Sequence, residues 1–478
     1  MSLSEQAINP VFIHSISKEQ AWNYRILPFL VDGNTMSFYC DAASEPIVLK
    51  DELEVILGKT VSLESISSGE IDRLLSTYYF AEETGANKPA EQQVISTNDD
   101  FLAALITEAR RLKSSDIHIE TYEQKCRVRV RIDGMMVERY QIQRDDYPAL
   151  VNKIKIMANL DIAEKRLPQD GRIHYKSSKM EAFDIRVSVL PTLHGEKIVL
   201  RLLNNSSVDV DLNTMGLSEI DMHNYMQGIQ RPNGIILISG PTGSGKTTTL
   251  YATLKLLNKS TRNILTIEDP IEYTLEGINQ VQLKESIGLG FASALRTFLR
   301  QDPDVIMVGE IRDPETANMA IRAALTGHLV LSTIHTNSAW GTVSRLMDMG
   351  IPGFLVANTL NTTVAQRLVR LLCPHCKTEQ DFDPVGYPTQ FKAPFAVAKH
   401  FVAKGCGECY YTGYKGRKAV YEVIPIDTEL AFEIKQGNLY IDPLLKARKI
   451  KTLSENAFAL FVTGETSLEE IFPLLLSI

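Results

Sequence analysis

Residues 240–247 (GPTGSGKT) match the pattern G-x-x-x-x-G-K-[ST] at every fixed position. The glycines of this pattern let successive backbone N–H groups turn toward a bound phosphate. We expect Lys246 to lie against the β- and γ-phosphates, and the Thr247 hydroxyl to ligate Mg²⁺. An ordinary glycine-rich turn is the alternative interpretation. The predicted nucleotide-binding residues are Gly240, Pro241, Thr242, Gly243, Ser244, Gly245, Lys246, Thr247 and Thr248.

Two carboxylates and two histidines downstream of this loop are candidates for the hydrolytic chemistry. Glu272 and Glu310 follow predicted strands, and they are suited to orient or deprotonate a water and to hold the hydration shell of a metal. His328 begins a third predicted strand and His335 follows it. Both are candidates to sense or contact the γ-phosphate, the alternative for each being a structural residue at a strand end. Position 309 is glycine, so the usual Walker B carboxylate is absent and Glu310 is expected to take more of that role.

Alternating strands and helices from about residue 220 onward indicate a parallel, doubly wound α/β sheet. Residues 234–239 predict the strand before the loop, and residues 248–257 predict the helix after it. The other predicted strands are residues 264–267, 305–308 and 328–333. Because ligands bind at the carboxyl ends of parallel strands, Glu272, Glu310 and His335 should converge near the loop.

Four of the six cysteines form two C-x₂-C pairs, separated by 29 residues. These are Cys373 with Cys376, and Cys406 with Cys409. Four thiolates suit tetrahedral Zn²⁺ and leave no open coordination position, so we predict a structural zinc site. Disulfides are the alternative, and a cytosolic location disfavours them. The isolated Cys40 and Cys126 are predicted to be packed residues.

A second α/β module is predicted before the nucleotide domain. Residues 99–112 have the apolar spacing of a helix, and residues 116–120 and 126–132 alternate as strands do. Three arginines of the second strand therefore share one face: Arg127, Arg129 and Arg131. That row is either a solvated face of the sheet, or a basic surface that faces phosphates or a neighbouring subunit.

The remaining segments indicate how these modules are joined. Residues 1–90 carry no catalytic motif and are interpreted as a small docking module, followed by a polar linker at 82–98. Residues 204–215 resemble a hinge that would let the second module swing over the phosphate loop.

Composition limits the class of protein. The 478 residues suggest about three domains, and the net charge of −8 argues against a protein that binds nucleic acid. No apolar run approaches the ~20 residues needed to span a bilayer, and the first residues do not resemble a signal peptide. We therefore expect a cytoplasmic protein that reaches a membrane only through partners.

Together these motifs resemble the secretion and pilus-assembly ATPases, over residues 99–478. The family's Asp box is similar to residues 266–273 (TIEDPIEY), which implies that Glu272 is the catalytic carboxylate. Its atypical Walker B motif is similar to residues 304–310 (DVIMVGE), and its His box to residues 326–335 (TGHLVLSTIH). The glycine at position 309 is thus typical of the family.

The resemblance implies three domains and an insertion. They are a docking domain at 1–90, a PAS-like domain at 99–205, and a RecA-like ATPase domain at 216–478 with a tetracysteine zinc element at about 370–420. It also implies that arginines of the PAS-like domain reach the nucleotide, the matching positions being Arg186 and Arg201, with Arg172 a weaker candidate.

The resemblance further implies a ring of six subunits that uses ATP, Mg²⁺ and Zn²⁺. Its function would be to assemble a pseudopilus for type II secretion on an inner-membrane platform, contacted through residues 1–90. A type IV pilus extension ATPase is the close alternative, and the short N-terminal module slightly favours secretion. The tetracysteine element disfavours a retraction ATPase. More remote interpretations are a nucleic-acid translocase and a scaffold that binds nucleotide without hydrolysing it.

Overall fold

The structure is a computed structural model that describes residues 16, 18–32, 35–42, 44, 46–57, 59–78, 94–95, 101–177, 180–203, 211–388 and 390–476. The chain divides into two compact units, Met1–Glu91 and Gln92–Ile478. Most of the predicted linker at 82–98 lies outside the described residues, and so do residues 204–210 of the predicted hinge.

The helices of the described residues are α1 (Lys18–Tyr24), α2 (Pro46–Leu57), α3 (Ser68–Tyr78), α4 (Phe101–Arg111), α5 (Tyr147–Met157), α6 (Glu219–Ile229), α7 (Lys246–Leu257), α8 (Phe291–Phe298), α9 (Pro314–Leu325), α10 (Gly341–Asp348), α11 (Gly353–Thr359), α12 (Thr428–Gln436), α13 (Asp442–Ala447), α14 (Leu453–Val462) and α15 (Leu468–Leu476).

The strands are β1 (Ile26–Asp32), β2 (Thr35–Asp41), β3 (Thr60–Ile66), β4 (Val94–Ile95), β5 (Asp116–Thr121), β6 (Cys126–Ile132), β7 (Met135–Ile142), β8 (Gln169–Ser177), β9 (Met180–Thr192), β10 (Gly195–Leu202), β11 (Gly234–Ser239), β12 (Ile264–Glu268), β13 (Asn279–Gln282), β14 (Val305–Val308), β15 (Leu329–Ile334), β16 (Leu360–Leu372), β17 (Thr378–Asp381), β18 (Lys399–Val402) and β19 (Tyr414–Pro425).

The N-terminal unit contains a three-stranded sheet in the order β1-β2-β3. Strands β1 and β2 are antiparallel neighbours, and β2 pairs with β3 in parallel through the crossover helix α2. Apolar side chains from the sheet and the helices, among them Phe38, Leu53 and Leu75, form its core. The described part of this unit is thus a small α/β module.

The first sheet of the larger unit runs in the order β4-β7-β6-β5-β10-β9-β8 and is antiparallel except for the β4–β7 pair. Helices α4 and α5 pack against its apolar face. The sequence pattern correctly predicted the buried side of α4, where Phe101, Leu102, Leu105, Ile106 and Ala109 are all buried. Alternating burial along β6 turns the arginines of that strand to the opposite, charged face.

A buried lysine anchors the loop between α5 and β8. The Lys155 side chain is inaccessible to solvent, and its Nζ lies 2.6 Å from Glu196 Oε1. The same ammonium donates to the Asp161 carbonyl at 3.1 Å and to the Glu164 carbonyl at 2.7 Å. Lys155 therefore sets the path of the chain into β8, the strand that carries Arg172.

The second sheet of the larger unit runs in the order β13-β12-β14-β15-β11-β16-β19. All its neighbours are parallel except β16 and β19. Both faces are buried: Ile235 and Leu237 of β11 face the core that contains α8–α12, whereas Ile236 and Ile238 face α6 and α7. The predicted doubly wound arrangement is therefore confirmed, with one antiparallel strand at its edge.

An excursion of the chain leaves the end of β16 and returns at β19. It contains the β17–β18 hairpin and both cysteine pairs. Aromatic rings of the excursion, among them Phe382, Tyr387 and Phe391, pack against Phe458 and Phe461 of α14. Within the described residues, no helix is both long enough and apolar enough to cross a membrane.

Replacing Lys155 by Met should destabilise the larger unit by about 3–5 kcal/mol, because it leaves the Glu196 carboxylate buried without its cation. The double variant Lys155→Met/Glu196→Gln should recover part of that loss. Thermal and urea unfolding of the three proteins measures both effects, and a single variant as stable as the parent would contradict the prediction.

Candidate functional site

The phosphate loop, residues 240–247, connects β11 to the first turn of α7. Gly240 and Gly245 have positive φ angles of 151° and 86°, which residues with a Cβ atom rarely adopt. The Nζ atom of Lys246 donates to the Gly240 and Pro241 carbonyls at 2.7 and 3.0 Å. Burial lowers the pKa of Lys246, and nearby Glu310 opposes that shift. The loop thus presents its lysine at the N-terminus of a helix, where anions bind.

Strand β16 supports the phosphate loop from behind. A Cβ atom on Gly240 would lie 2.5 Å from the Gln366 carbonyl oxygen and 3.1 Å from Arg367 Nη1. The Gln366 side chain accepts a hydrogen bond from Thr249 Oγ1 of α7 at 2.8 Å. These contacts fix the loop and the helix that follows it to one strand.

Glu310 forms a charged cluster at the same edge of the sheet. Its carboxylate pairs with Arg312, and its Oε2 lies 3.5 Å from His335 Nε2. The hydrogen bond with Glu310 raises the pKa of Arg312, and Asp269 adds to the shift. Glu310 and His335, which the sequence predicted to converge, therefore do lie together, beside the position that Lys246 occupies.

The glycine before Glu310 has a packing reason. A Cβ atom at Gly309 would lie 3.3 Å from the Ile267 carbonyl oxygen and 3.4 Å from Glu268 Cα, on the neighbouring strand β12. Gly309 also donates its N–H to that carbonyl at 2.8 Å. A side chain here would require the neighbouring backbone to shift by a few tenths of an ångström, which favours glycine at this position.

The loop after β12 holds Glu272 near a tyrosine of α7. Buried Glu268 accepts hydrogen bonds from Tyr251 Oη and, at 2.6 Å, from Thr266 Oγ1. Burial raises the pKa of Tyr251, and Glu268 raises it further, so the phenol stays protonated and can donate. The Glu272 N–H donates to Tyr251 Oη at 3.3 Å, while the Glu272 side chain is 42% exposed.

Of the three arginine candidates, Arg186 reaches the loop after β12. Its Nη2 donates to the Ile271 carbonyl at 3.2 Å and lies 3.7 Å from Glu272 Oε2. Arg201 instead donates to Asp116 at 3.0 Å, and Arg172 pairs with Asp184. In the sheet register Arg186 lies opposite both Arg201 and Arg172, so the three form one cross-strand row.

The arginine row of β6 is neutralised by neighbouring acids. Glu120 on β5 binds both Arg127 and Arg129. Arg131 Nε lies 3.7 Å from Asp116 Oδ2. Although burial opposes it, the hydrogen bonds from Arg129, Lys197 and Arg127 lower the pKa of Glu120 to about 2. The structure fits a solvated, ion-paired face of the sheet better than a basic surface that faces phosphates or a neighbouring subunit.

The structure does not bring His328 to the phosphate loop. His328 precedes β15, and its carbonyl accepts the N–H of Gly234, the first residue of β11, at 3.1 Å. Six residues of strand, about 20 Å, separate it from His335. Its Nδ1 lies 2.8 Å from the Ala323 carbonyl of α9. The expectation that His328 contacts the γ-phosphate is therefore wrong for the loop of its own chain, since it lies at the amino end of the strand.

Three polar residues that the structure brings to this edge belong to no motif in the sequence. They are Arg312, Gln366 and Arg367. A cavity of about 630 Å³ is lined by Arg367 together with Gly240 and His335. The available signal was the adjacent polar pair Gln366–Arg367, and an arginine two residues after Glu310.

The four predicted cysteine ligands form one cluster. Their Sγ atoms lie within 4.8 Å of one another, and the Cys376–Cys409 and Cys406–Cys409 separations are both 3.8 Å. A tetrahedron with Zn–S bonds of ~2.3 Å places its sulfurs about 3.8 Å apart, whereas a disulfide requires ~2.05 Å. Backbone N–H groups of Cys406 and Gly413 donate to Cys409 Sγ at 3.2 Å. The cluster fits a tetrahedral metal.

Comparison with known proteins decides the family. A family model described as "Type II/IV secretion system protein" matches residues 91–473. The chain belongs to this family. "Type II secretion system protein E" of Pectobacterium carotovorum subsp. carotovorum is 43% identical over 457 residues, 90% of this chain and 91% of that protein. "Type IV pilus assembly ATPase PilB" of Myxococcus xanthus is 39% identical over 508 residues, 98% of this chain and 88% of that protein.

A solved structure supports the fold of this family member. The Legionella pneumophila ATPase DotB superposes with a TM-score of 0.59, covering 80% of this chain and 96% of that one. At 22% identity, it shows the fold alone. The family and the phosphate-loop geometry together make this chain a P-loop ATPase, as the sequence predicted.

The purified protein should contain about one Zn²⁺ per chain. Cys376→Ser and Cys409→Ser should lose the metal and lower the melting temperature, because the metal's binding energy stabilises the excursion. Cys126→Ser is the matched control, since Cys126 is buried in the other sheet and bonded to Thr121 at 3.3 Å. Metal analysis with thermal unfolding tests this, and full zinc content in the Cys376 variant would contradict it.

Proposed function

We propose that this chain is the motor ATPase of a type II secretion machine, in which ATP hydrolysis drives the assembly of a pseudopilus. The observation that carries the proposal is the carboxyl edge of the parallel sheet. Glu310 lies beside His335 and acts electrostatically on Lys246, its strand pairs with the strand before the Glu272 loop, and Arg186 contacts Glu272 from the other sheet. Membership of the secretion-protein family supports the proposal that ATP hydrolysis at this edge is coupled to mechanical work.

In this proposal Lys246 and the loop N–H groups bind the β- and γ-phosphates. The Thr247 hydroxyl would hold Mg²⁺, which would supply positive charge to stabilise the transferred phosphate. Glu272 orients and deprotonates the attacking water, because its carboxylate is accessible while its backbone is held by Tyr251. Glu310 would hold waters bound to the metal, and His335 would contact the γ-phosphate.

The arginines of the first sheet complete this site. Arg186 already contacts the loop that carries Glu272, so a small rotation of that sheet would bring its guanidinium to the transferred phosphate. Arg201 lies opposite Arg186 in the register and would follow on the same movement. Cationic groups that meet the transition state in this way accelerate phosphoryl transfer, and their arrival couples hydrolysis to movement of one sheet against the other.

The assembly we propose is a ring of six chains on the cytoplasmic side of an inner-membrane platform. Residues 1–90 dock on the platform proteins and bring the chain to the membrane. The tetracysteine cluster holds a structural Zn²⁺ that fixes the excursion between β16 and β19.

Type IV pilus extension remains the second candidate, because the alignment with PilB covers 98% of this chain. The two identities, 43% over 457 residues and 39% over 508 residues, are not like for like, so the preference for secretion rests on the short N-terminal module. A nucleic-acid translocase has less support, since acids neutralise the arginine row of β6.

Replacing Glu272 by Gln should lower ATP turnover by about 10²–10⁴-fold, because the amide cannot accept the proton of the attacking water. Nucleotide affinity should stay near that of the parent. Glu276→Gln is the matched control, an exposed carboxylate four residues further along the same loop. Phosphate release at the parent's rate in the Glu272 variant would exclude this residue as the base.

In the native host, Lys246→Ala should remove folded exoenzymes from the medium and retain them in the periplasm. The lysine is expected to carry the charge that binds the phosphates, so the motor would stop while the chain stays folded. The control is a strain with Lys255→Ala, a substitution on the same helix, which should secrete these enzymes normally. Proteomes of medium and periplasm measure the outcome. An unchanged medium with loss of surface fibres would instead identify the pilus-extension motor.

A further inference from the structure

Glu422 is a buried carboxylate that the proposed chemistry does not use. It lies in the centre of β19, opposite Ala365 of β16, and only 4% of its surface is exposed. Its Oε1 accepts the Ala339 N–H at 2.8 Å, and its Oε2 accepts the Leu453 N–H at 3.1 Å. Each oxygen thus holds a different segment of the chain.

The first of these segments is the 335–339 loop, which begins with His335. Arg367 holds the same loop from the other side, because its Nη2 donates to the Asn337 carbonyl at 2.9 Å. Arg367 and Glu422 lie on the antiparallel pair β16–β19 and interact electrostatically. The Glu422 carboxyl group and the Arg367 guanidinium therefore both fix the backbone that carries His335.

The second segment is the N-terminus of α14. Its first helical residue, Leu453, gives its N–H to Glu422, and Asn456 Nδ2 donates to the neighbouring Tyr421 carbonyl at 2.8 Å. Carboxylates stabilise helix N-termini, where backbone N–H groups lack partners within the helix. Helix α14 also carries the aromatic rings that pack against the tetracysteine excursion.

We propose that Glu422 is a positioning residue for the ATPase reaction: it holds the 335–339 loop so that His335 meets the γ-phosphate, and it ties that loop to α14. The inference rests on the proposed function, in which His335 contacts the γ-phosphate. If the γ-phosphate shifted this loop, the Glu422 side chain would move with it and displace the N-terminus of α14. Glu422 itself touches neither nucleotide nor metal in this scheme.

The closest substitution is Glu422→Gln, which keeps the shape but leaves only one acceptor oxygen for two N–H donors. The loop or the helix end must then give up its hydrogen bond. Because the γ-phosphate distinguishes ATP from ADP, a misplaced His335 should reduce the preference for ATP and leave ADP binding unchanged.

The experiment measures the affinities of the full-length chain for ADP and for adenylyl imidodiphosphate, a non-hydrolysable ATP analogue. Turnover is measured alongside. In Glu422→Gln the ratio of the two affinities should fall about tenfold, equivalent to ~1.4 kcal/mol. Glu422→Asp keeps both oxygens on a shorter side chain and should give a smaller fall in the same ratio. This variant tests the inference if Glu422→Gln does not fold.

Thr452→Ala is the control for a purely structural effect. Thr452 caps α14 by accepting the Glu455 N–H at 3.2 Å, so its removal weakens the helix end without touching Ala339. We expect the nucleotide preference of this variant to match that of the parent. An equal loss in Thr452→Ala, or an unchanged ratio in folded Glu422 variants, would overturn the inference. A parent that neither hydrolyses ATP nor distinguishes it from ADP would overturn the proposed function as well.

Discussion

The approach of Gly240 to strand β16 constrains the whole carboxyl edge of the sheet. With 2.5 Å between a Cβ position on Gly240 and the Gln366 carbonyl, no other residue fits there without moving the strand. The bond between Gln366 and Thr249 extends the constraint to α7. Because backbone and side chain both take part, the loop, its helix and β16 must move together. The positions of Lys246 and Arg367 depend on that unit.

The charged groups at this edge already have partners, which shapes how a triphosphate can bind. Lys246 is held by two carbonyl oxygens, Arg312 by Glu310, and Arg186 by the Ile271 carbonyl. A phosphate that took over Lys246 or Arg186 would replace a contact with a neutral carbonyl by a contact with an ionised oxygen, which is stronger. Arg312 gains no such advantage, because its partner Glu310 is itself an acidic group. We therefore expect a bound triphosphate to release the Gly240, Pro241 and Ile271 carbonyls from these contacts.

Local sequence patterns predicted the parts of this fold whose physics is local. Glycines, a lysine and the flanking strand and helix are enough to identify the phosphate loop from sequence. The C-x₂-C spacing is likewise enough to predict that the two pairs of cysteines bind one metal. The common direction of the parallel strands correctly predicted that Glu310 and His335 lie close together. The same pattern failed for His328, because treating it as part of the strand hid the fact that it lies at the opposite end. The alternating pattern of β6 correctly predicted that its arginines share one face of the sheet. It could not predict their acidic partners on β5, because a single sequence does not show which strands pair.

Polar residues inside the strands of the second sheet were the hardest to interpret from sequence. Gln366 and Glu422 are buried and Arg367 is partly buried. Their contacts come from segments as far as 117 residues away along the chain. Strand β16 connects the nucleotide site to the cysteine cluster. From Arg367 it runs six residues, about 20 Å, to Cys373. Its end is held by the Glu465 carbonyl, which accepts the Leu372 N–H at 2.8 Å. A metal bound at the cysteines would therefore lie at the end of the same strand that supports the phosphate loop.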